Sequence, residues 1–412
     1  MDFQTIAALV FLFLLGCFVY FNRKRIILNK IAFPFLYTAM YRTRFGLRFM
    51  DSFPRRFPRL VSILGYAAIV VGMIGMLAIS YVMVRSVIDL FLKPSAVPAV
   101  QPILPFNVKG AFFVPFFYFL ITISLLAIIH EAMHGILARR YGVRIKASGF
   151  AFIGILLPII PLAFVDVDEK ALRRKRISQQ LAMFASGAFI NIAFAACILV
   201  LGSLLMLPIS QHMVDFNGAK VVGFSANSSA QAAGIKEGDV FIRADGTRLD
   251  YVENLSRILS GKKPGDTLQL ATAHASYAIP LGGNPKNSSV PYLGVSLQQS
   301  RTLKPEFDNI FGRALLWITG EPEFRYERWY YNAVLWLISP PSAPGLLYFM
   351  FILNFGVGLV NLLPMGPIDG GRMAQLILQR VLRKEKGNAV FKAISWVFLA
   401  LILINVAFIF IK

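Results

Sequence analysis

Nineteen consecutive uncharged residues, Ala111 to Ile129 (AFFVPFFYFLITISLLAII), lead without a break into His130-Glu131-Ala132-Met133-His134. The run is long enough to span most of a bilayer as a helix. On that helix His130 and His134 stand one turn apart on the same face. Two imidazoles at that spacing can hold one Zn²⁺, and Glu131 beside the first is placed to act on a water at the metal. Two satisfied histidines meeting by chance at a helix end would leave the same letters. Against chance, the chain has four histidines and two fall in this pattern. Ionisable groups at membrane depth also mark functional sites.

The rest of the chain fits a membrane. Of 412 residues 57% are hydrophobic and 15% charged, which points to a polytopic membrane protein. The net charge of +21 comes in clusters, so it reports topology and excludes a nucleic-acid partner. Cys17 and Cys197 both lie in apolar runs, so neither a disulfide framework nor a thiolate metal site is expected. Leu15-Gly16-Cys17 loosely matches a lipoprotein cleavage box. No basic segment precedes it, so a retained first helix is expected.

About six transmembrane helices are predicted, near residues 3–21, 61–84, 111–137, 181–207, 345–363 and 390–411. Ten Lys and Arg residues between 22 and 59 face a single acid, Asp51. The positive-inside rule puts this loop in the cytoplasm. Its interleaved aromatics suit a segment lying on an anionic membrane surface, and a plain solvated loop fits equally. Alternation then places the clusters Arg139–Lys146, Lys170–Arg176 and Arg372–Lys386 on the same side, with both chain ends outside.

Residues 209–300 differ. Their acids and bases nearly balance, and turn signals at Asp245-Gly246, Pro264-Gly265 and Gly282-Gly283 separate short strands. The topology places them outside the cell, together with the three Asn-X-Ser/Thr sequons at Asn227, Asn254 and Asn287. Residues 301–343 mix Trp and Tyr with charges and read as an interfacial segment, for anchoring or for lining a substrate route. The expected order is two N-terminal helices with the basic loop (1–110), a first core part (111–208), the external β region (209–300), the aromatic segment (301–343) and a second core part with a final helix (344–412).

A zinc site needs a third protein ligand and an open position. Asp369, in Asn361-Leu362-Leu363-Pro364-Met365-Gly366-Pro367-Ile368-Asp369-Gly370, follows a span that descends in the same direction as the histidine helix. It would reach a similar depth. A plain turn residue before Gly370-Gly371 is the other reading.

His-Glu-X-X-His on one span and Asn-X-X-Pro-X-X-X-X-Asp-Gly on a later one resemble the site-2 protease family of intramembrane zinc metalloproteases (peptidase family M50). Gly187 and Asn191, on the span between, match a third family motif, although alone they would read as helix packing. The resemblance covers roughly residues 111–372. It implies Zn²⁺ on His130, His134 and Asp369, with Glu131 as the catalytic acid–base. It implies substrate contacts from Asn361, Asn191 and Gly187. Residues 220–300 look like an inserted PDZ domain, with Ala232–Ile242 similar to its signature. Residues 147–166 look like a re-entrant, strand-like hairpin; a short buried loop is the alternative. The implied partners are transmembrane protein substrates and the lipid bilayer, with an active site towards the cytoplasmic side.

Two rivals share features. Membrane-anchored zinc proteases complete the site with a later glutamate, and no later membrane-embedded Glu stands out. A zinc-binding transporter or an inactive scaffold needs only the ligands, and has no use for Glu131.

Overall fold

The computed structural model describes residues 3–24, 26–32, 36–44, 46–93, 96–105, 111–155, 157–225, 228–284, 287–320 and 344–411. The chain divides into two compact units, residues 1–198 with 349–412, and residues 199–348.

The first unit opens with helix α1 (Phe3–Phe21), then strands β1 (Ile26–Ala32) and β2 (Leu36–Thr43). Helices α2 (Leu47–Arg56) and α3 (Pro58–Leu92) follow, the second started by a proline whose missing N–H costs nothing in a first turn. Two-residue strands β3 (Ile103–Leu104) and β4 (Phe112–Phe113) lead to α4 (Phe116–Arg140). Pro115 delays the start of α4 relative to the apolar run, and Arg139 and Arg140 close its last turn, where the helix dipole favours cations. Strands β5 (Ile145–Ile155) and β6 (Leu157–Val167) form an antiparallel hairpin where one was expected. Asp168 then caps the short α5 (Glu169–Arg173), ahead of α6 (Ile177–Leu201).

The N-terminal basic stretch is not a plain loop: it holds strands β1 and β2 and helix α2. Strand β2 pairs antiparallel with β5, from Tyr37 opposite Gly154 to Thr43 opposite Ser148. One four-stranded sheet results, in the order β1-β2-β5-β6. The reason is cooperative: two strands alone are marginal in water, and four with a packed face are not. Strand β6 is left at an edge.

The second unit begins with a π-helical turn (Gly202–Met206) and α7 (Leu207–Met213). Its strands are β7 (Val214–Phe224), β8 (Val240–Phe241), β9 (Arg243–Ala244), β10 (Thr247–Arg248), β11 (Thr267–Ala271), β12 (Ser276–Pro280), β13 (Gly282–Asn284), β14 (Asn287–Tyr292) and β15 (Val295–Leu303). They form sheets ordered β15-β7-β8, β10-β9-β11-β12 and β13-β14. Helices α8 (Ser229–Ala232) and α9 (Val252–Ser260) complete a core of Phe241, Leu249, Leu255, Leu268, Leu270 and Ile279. Buried Gln299 donates to the carbonyls of Gly218, Asp250 and Ser300 and accepts from the Val252 N–H, which ties α9 to the β7–β15 pair. Helix α10 (Ile310–Thr319) includes Trp317. Most of the aromatic segment expected to be interfacial, including Tyr326, Trp329 and Trp336, lies outside the described residues, as does Asn227.

The chain returns to the first unit through α11 (Leu346–Val360), then α12 (Asp369–Val381) and α13 (Lys384–Ile411). Among the described residues four helical stretches are long and apolar enough to cross a membrane: Pro58–Leu92, Phe116–Arg140, Ile177–Met213 and Lys384–Ile409. Apolar stretches Ile6–Phe21 and Leu346–Val360, where two further spans were expected, are shorter. The protein is therefore a helical membrane protein with added β-sheet.

Helix α3 illustrates the packing. Over residues 61–75 its buried face is a seam of mostly small residues, Val61, Gly65, Ala68, Gly72 and Gly75, against α4, α6, α12 and the loop before α12, and further along it buries the larger Met76, Ile79, Met83 and Leu90. Its opposite face exposes Ile63, Tyr66, Val70, Ile74 and Leu77. Small residues inside and large apolar ones outside are what close packing in lipid requires.

Candidate metal centre

His130, Glu131 and His134 sit in the last three turns of α4. Both histidines are buried, and their Nε2 atoms lie 3.3 Å apart. Each ring is held from α6. His134 Nδ1 lies 2.7 Å from the Met183 carbonyl oxygen, which can only accept, so Nδ1 carries the proton and Nε2 presents a lone pair. Ser186 Oγ also donates to that carbonyl and lies 3.2 Å from the same Nδ1. His130 Nδ1 lies 3.1 Å from the amide of buried Asn191. In this amide orientation Oδ1 of Asn191 has no hydrogen-bond partner. Turning the amide over lets Oδ1 accept from Nδ1–H and frees His130 Nε2 as well.

Asp369 opens α12, where the helix N-terminus favours a carboxylate. The preceding loop positions it. Gly370 N–H donates to the Asn361 carbonyl at 2.8 Å, and Arg372 N–H to the Ile368 carbonyl at 3.1 Å. A side chain at Gly370 or Gly371 would collide with the backbone of Leu362 or Met365, so only this glycine pair lets α12 fold back on its own loop. Asp369 Oδ2 comes to 3.1 Å from His130 Nε2 and 3.2 Å from His134 Nε2.

Three lone-pair atoms thus face one another with no proton assigned between them, and buried Oδ2 has no hydrogen-bond donor. That arrangement is repulsive unless a proton or a metal cation sits among them. Zinc bonds of about 2.0–2.1 Å at tetrahedral angles separate ligand atoms by roughly 3.3–3.4 Å, close to the observed edges. Two imidazole nitrogens and a carboxylate oxygen also suit Zn²⁺ chemically. The residues fit the metal.

Gly187 faces this centre. A methyl group there would run into Nε2 of both imidazoles. Sequence reading put Gly187 and Asn191 on the substrate; in the structure both lie against the histidines. Asn361 contributes its carbonyl to the turn that holds Asp369. Ser186 and Met183 were missed, although Ser186 directly precedes Gly187 in the motif.

Glu131 Oε2 accepts a 2.9 Å hydrogen bond from the backbone N–H of Val165 on β6. No sequence signal marks Val165. Because that N–H points away from β5, alternation turns the N–H and C=O of Ala163 the same way. Val165→Pro would remove the donor without breaking a ladder bond. Cleavage is expected to fall by about 10- to 100-fold, as when a partner that orients a metal-site group is lost, with metal content unchanged. Zinc loss in this variant would assign Val165 to the scaffold instead.

The family model described as peptidase family M50 matches residues 118–312 and 340–405, more than half of the chain. Similar proteins include a Clostridium perfringens protein named as a zinc metalloprotease, 25% identical across 68% of this chain and 92% of its own length. The zinc metalloprotease RasP of Shouchella clausii is 24% identical over 60% of this chain and 64% of its own. The chloroplastic membrane metalloprotease ARASP of Arabidopsis thaliana is 22% identical over 63% and 69% respectively.

Proposed function

This chain belongs to peptidase family M50, and from that premise we propose how its residues perform the work of an intramembrane zinc metalloprotease of the site-2 type. The convergence of His130, His134 and Asp369, with Glu131 one residue away, carries the assignment. Those three residues hold Zn²⁺. Bound there, zinc supplies a Lewis acid that polarises the scissile carbonyl and lowers the pKa of water. Glu131 takes the proton of the attacking water and delivers it to the leaving nitrogen. Met183, Ser186 and Asn191 fix the imidazole orientations. Asn361 is the candidate for contact with the substrate backbone.

A substrate helix hides its carbonyls in its own hydrogen bonds, so it must unwind to be cut. The outward N–H and C=O of Ala163 on the β6 edge offer replacement partners, in the manner of strand addition. Our reading keeps six spans, with α1 and α11 as the shorter pair, and the basic clusters on the cytoplasmic side. Residues 209–300 are then an extracytoplasmic PDZ-like domain that filters substrates by size or holds a trimmed end. Ser288→Cys, at an exposed position of that domain, should react with an impermeant thiol reagent in intact cells. Labelling only after lysis would invert the topology.

The metal assignment is tested by composition. Purified protein should carry about one Zn²⁺ per chain, as a three-ligand site implies. His134→Ala and Asp369→Ala should each lose most of it. Full zinc in both variants would overturn the site.

A further inference from the structure

The family match begins at residue 118, yet part of the wall beside Glu131 is built from residues well before it. A cavity of ≈ 290 Å³ lies between α2, α4 and the β5–β6 hairpin. Phe49 and Met50 of α2 form one wall, Ile128 and Ala132 of α4 the floor, and Phe150 and Phe164 the roof. Glu131 also borders it. We propose that this cavity is a substrate subsite, which receives one bulky apolar side chain next to the bond that is cut, and that α2 thereby sets side-chain specificity.

The argument is geometric and rests on the protease reading above. Glu131 touches both the cavity and the β6 edge, through its bond to Val165. A substrate strand laid along that edge extends the sheet, and its side chains alternate between the two faces. One of them, level with Glu131, faces the α2–α4 side and enters the cavity. The lining is almost wholly apolar, and the volume has ample room for a leucyl, methionyl or phenylalanyl side chain. It is too small for a whole helix.

Helix α2 is fixed in place. Met50 is 5% exposed, in a cluster with Met133, Ile136 and Leu137 of α4. A methyl on Gly135 would collide with the Met50 side chain, so Met50 packs directly over the α4 backbone at that glycine. Phe49, 53% exposed, stands at the mouth with its ring tilted against that of Phe53. The wall is therefore rigid inside and adjustable at the rim, as a selective pocket requires.

The test uses the full-length, zinc-loaded enzyme in liposomes and model single-span substrates varied one residue at a time around the cut. Cut positions and kcat/KM are read by mass spectrometry. At one position the wild type should prefer Leu, Met or Phe over Ala by about 10-fold or more, the scale of discrimination an apolar pocket provides. Ala132→Leu, which fills the cavity, should reverse that preference towards Ala and Gly. Met50→Ala, which enlarges it, should move the optimum to Phe and Trp. Opposite shifts cannot come from a shared loss of stability. Zinc content and melting temperature identify any variant that misfolds. Phe49→Ala, at the exposed rim, costs the core little and should broaden acceptance at the same position.

A wild type indifferent at every position, or folded variants with unchanged preferences, would overturn the subsite and leave the cavity to lipid. The protease reading would survive either result. Zinc-loaded wild type that cuts no substrate would remove both.

Discussion

Gly187→Ala is expected to empty the zinc site while the protein still folds. The glycine belongs to α6 and faces the two imidazoles, and a methyl there would meet both Nε2 atoms, the atoms that must reach the metal. Helix α6 cannot easily retreat. It is packed against α3, where Gly72 already sits against Ala185, and protein interiors do not yield by an ångström without loss. The imidazoles cannot turn away without giving up Met183 and Asn191. Zinc affinity should fall by more than the about 100-fold lost when a supporting partner of a ligand is removed. Cleavage should fall with it. The readouts are zinc per chain and melting temperature on one preparation. A folded variant with full zinc would mean that α6 can recede, and that Gly187 acts on substrate.

Glu131→Gln should separate metal from chemistry. Glutamine has the size of glutamate and can still accept the Val165 N–H, so the local structure should hold. It cannot take a proton from water. Turnover should drop by about 10²–10⁴-fold, the usual contribution of a general acid–base, with about one zinc retained. A transporter or scaffold reading expects full function from this variant. Proteolysis near the wild-type rate would remove Glu131 from the mechanism.

Much of the centre was legible because it is local. Four residues of spacing fix the relation of His130 to His134 on any helix, and Glu131 comes with them. The apolar runs predicted α3, α4, α6 and α13 within several residues, because lipid imposes length and apolarity on each span separately. Two of the starts moved to identifiable prolines, Pro58 for α3 and Pro115 for α4, while α6 and α13 begin earlier than expected, at Ile177 and Lys384, in polar residues ahead of their apolar runs. Asp369 was reachable through the depth argument, since two spans running the same way bring their ends to similar levels.

Other features depend on contacts between distant segments. The basic N-terminal stretch reads as a loop because β1 and β2 alone would be marginal, and only the edge of β5 makes them strands. The partnering of Glu131 with Val165 depends on a backbone N–H, which every residue except proline carries, so no side chain announces it. The imidazole tautomers were set by a Met183 carbonyl for the same reason. The amino-acid sequence by itself determined the membrane helices, the histidine–glutamate–histidine face and the candidate third ligand, because each follows from short-range periodicity and chemistry. The tertiary structure alone decided which strand edge faces Glu131, that α2 walls the cavity beside it, and that Gly187 makes room for the imidazoles. Those outcomes depend on which surfaces meet, and packing sets that only when the whole chain has folded.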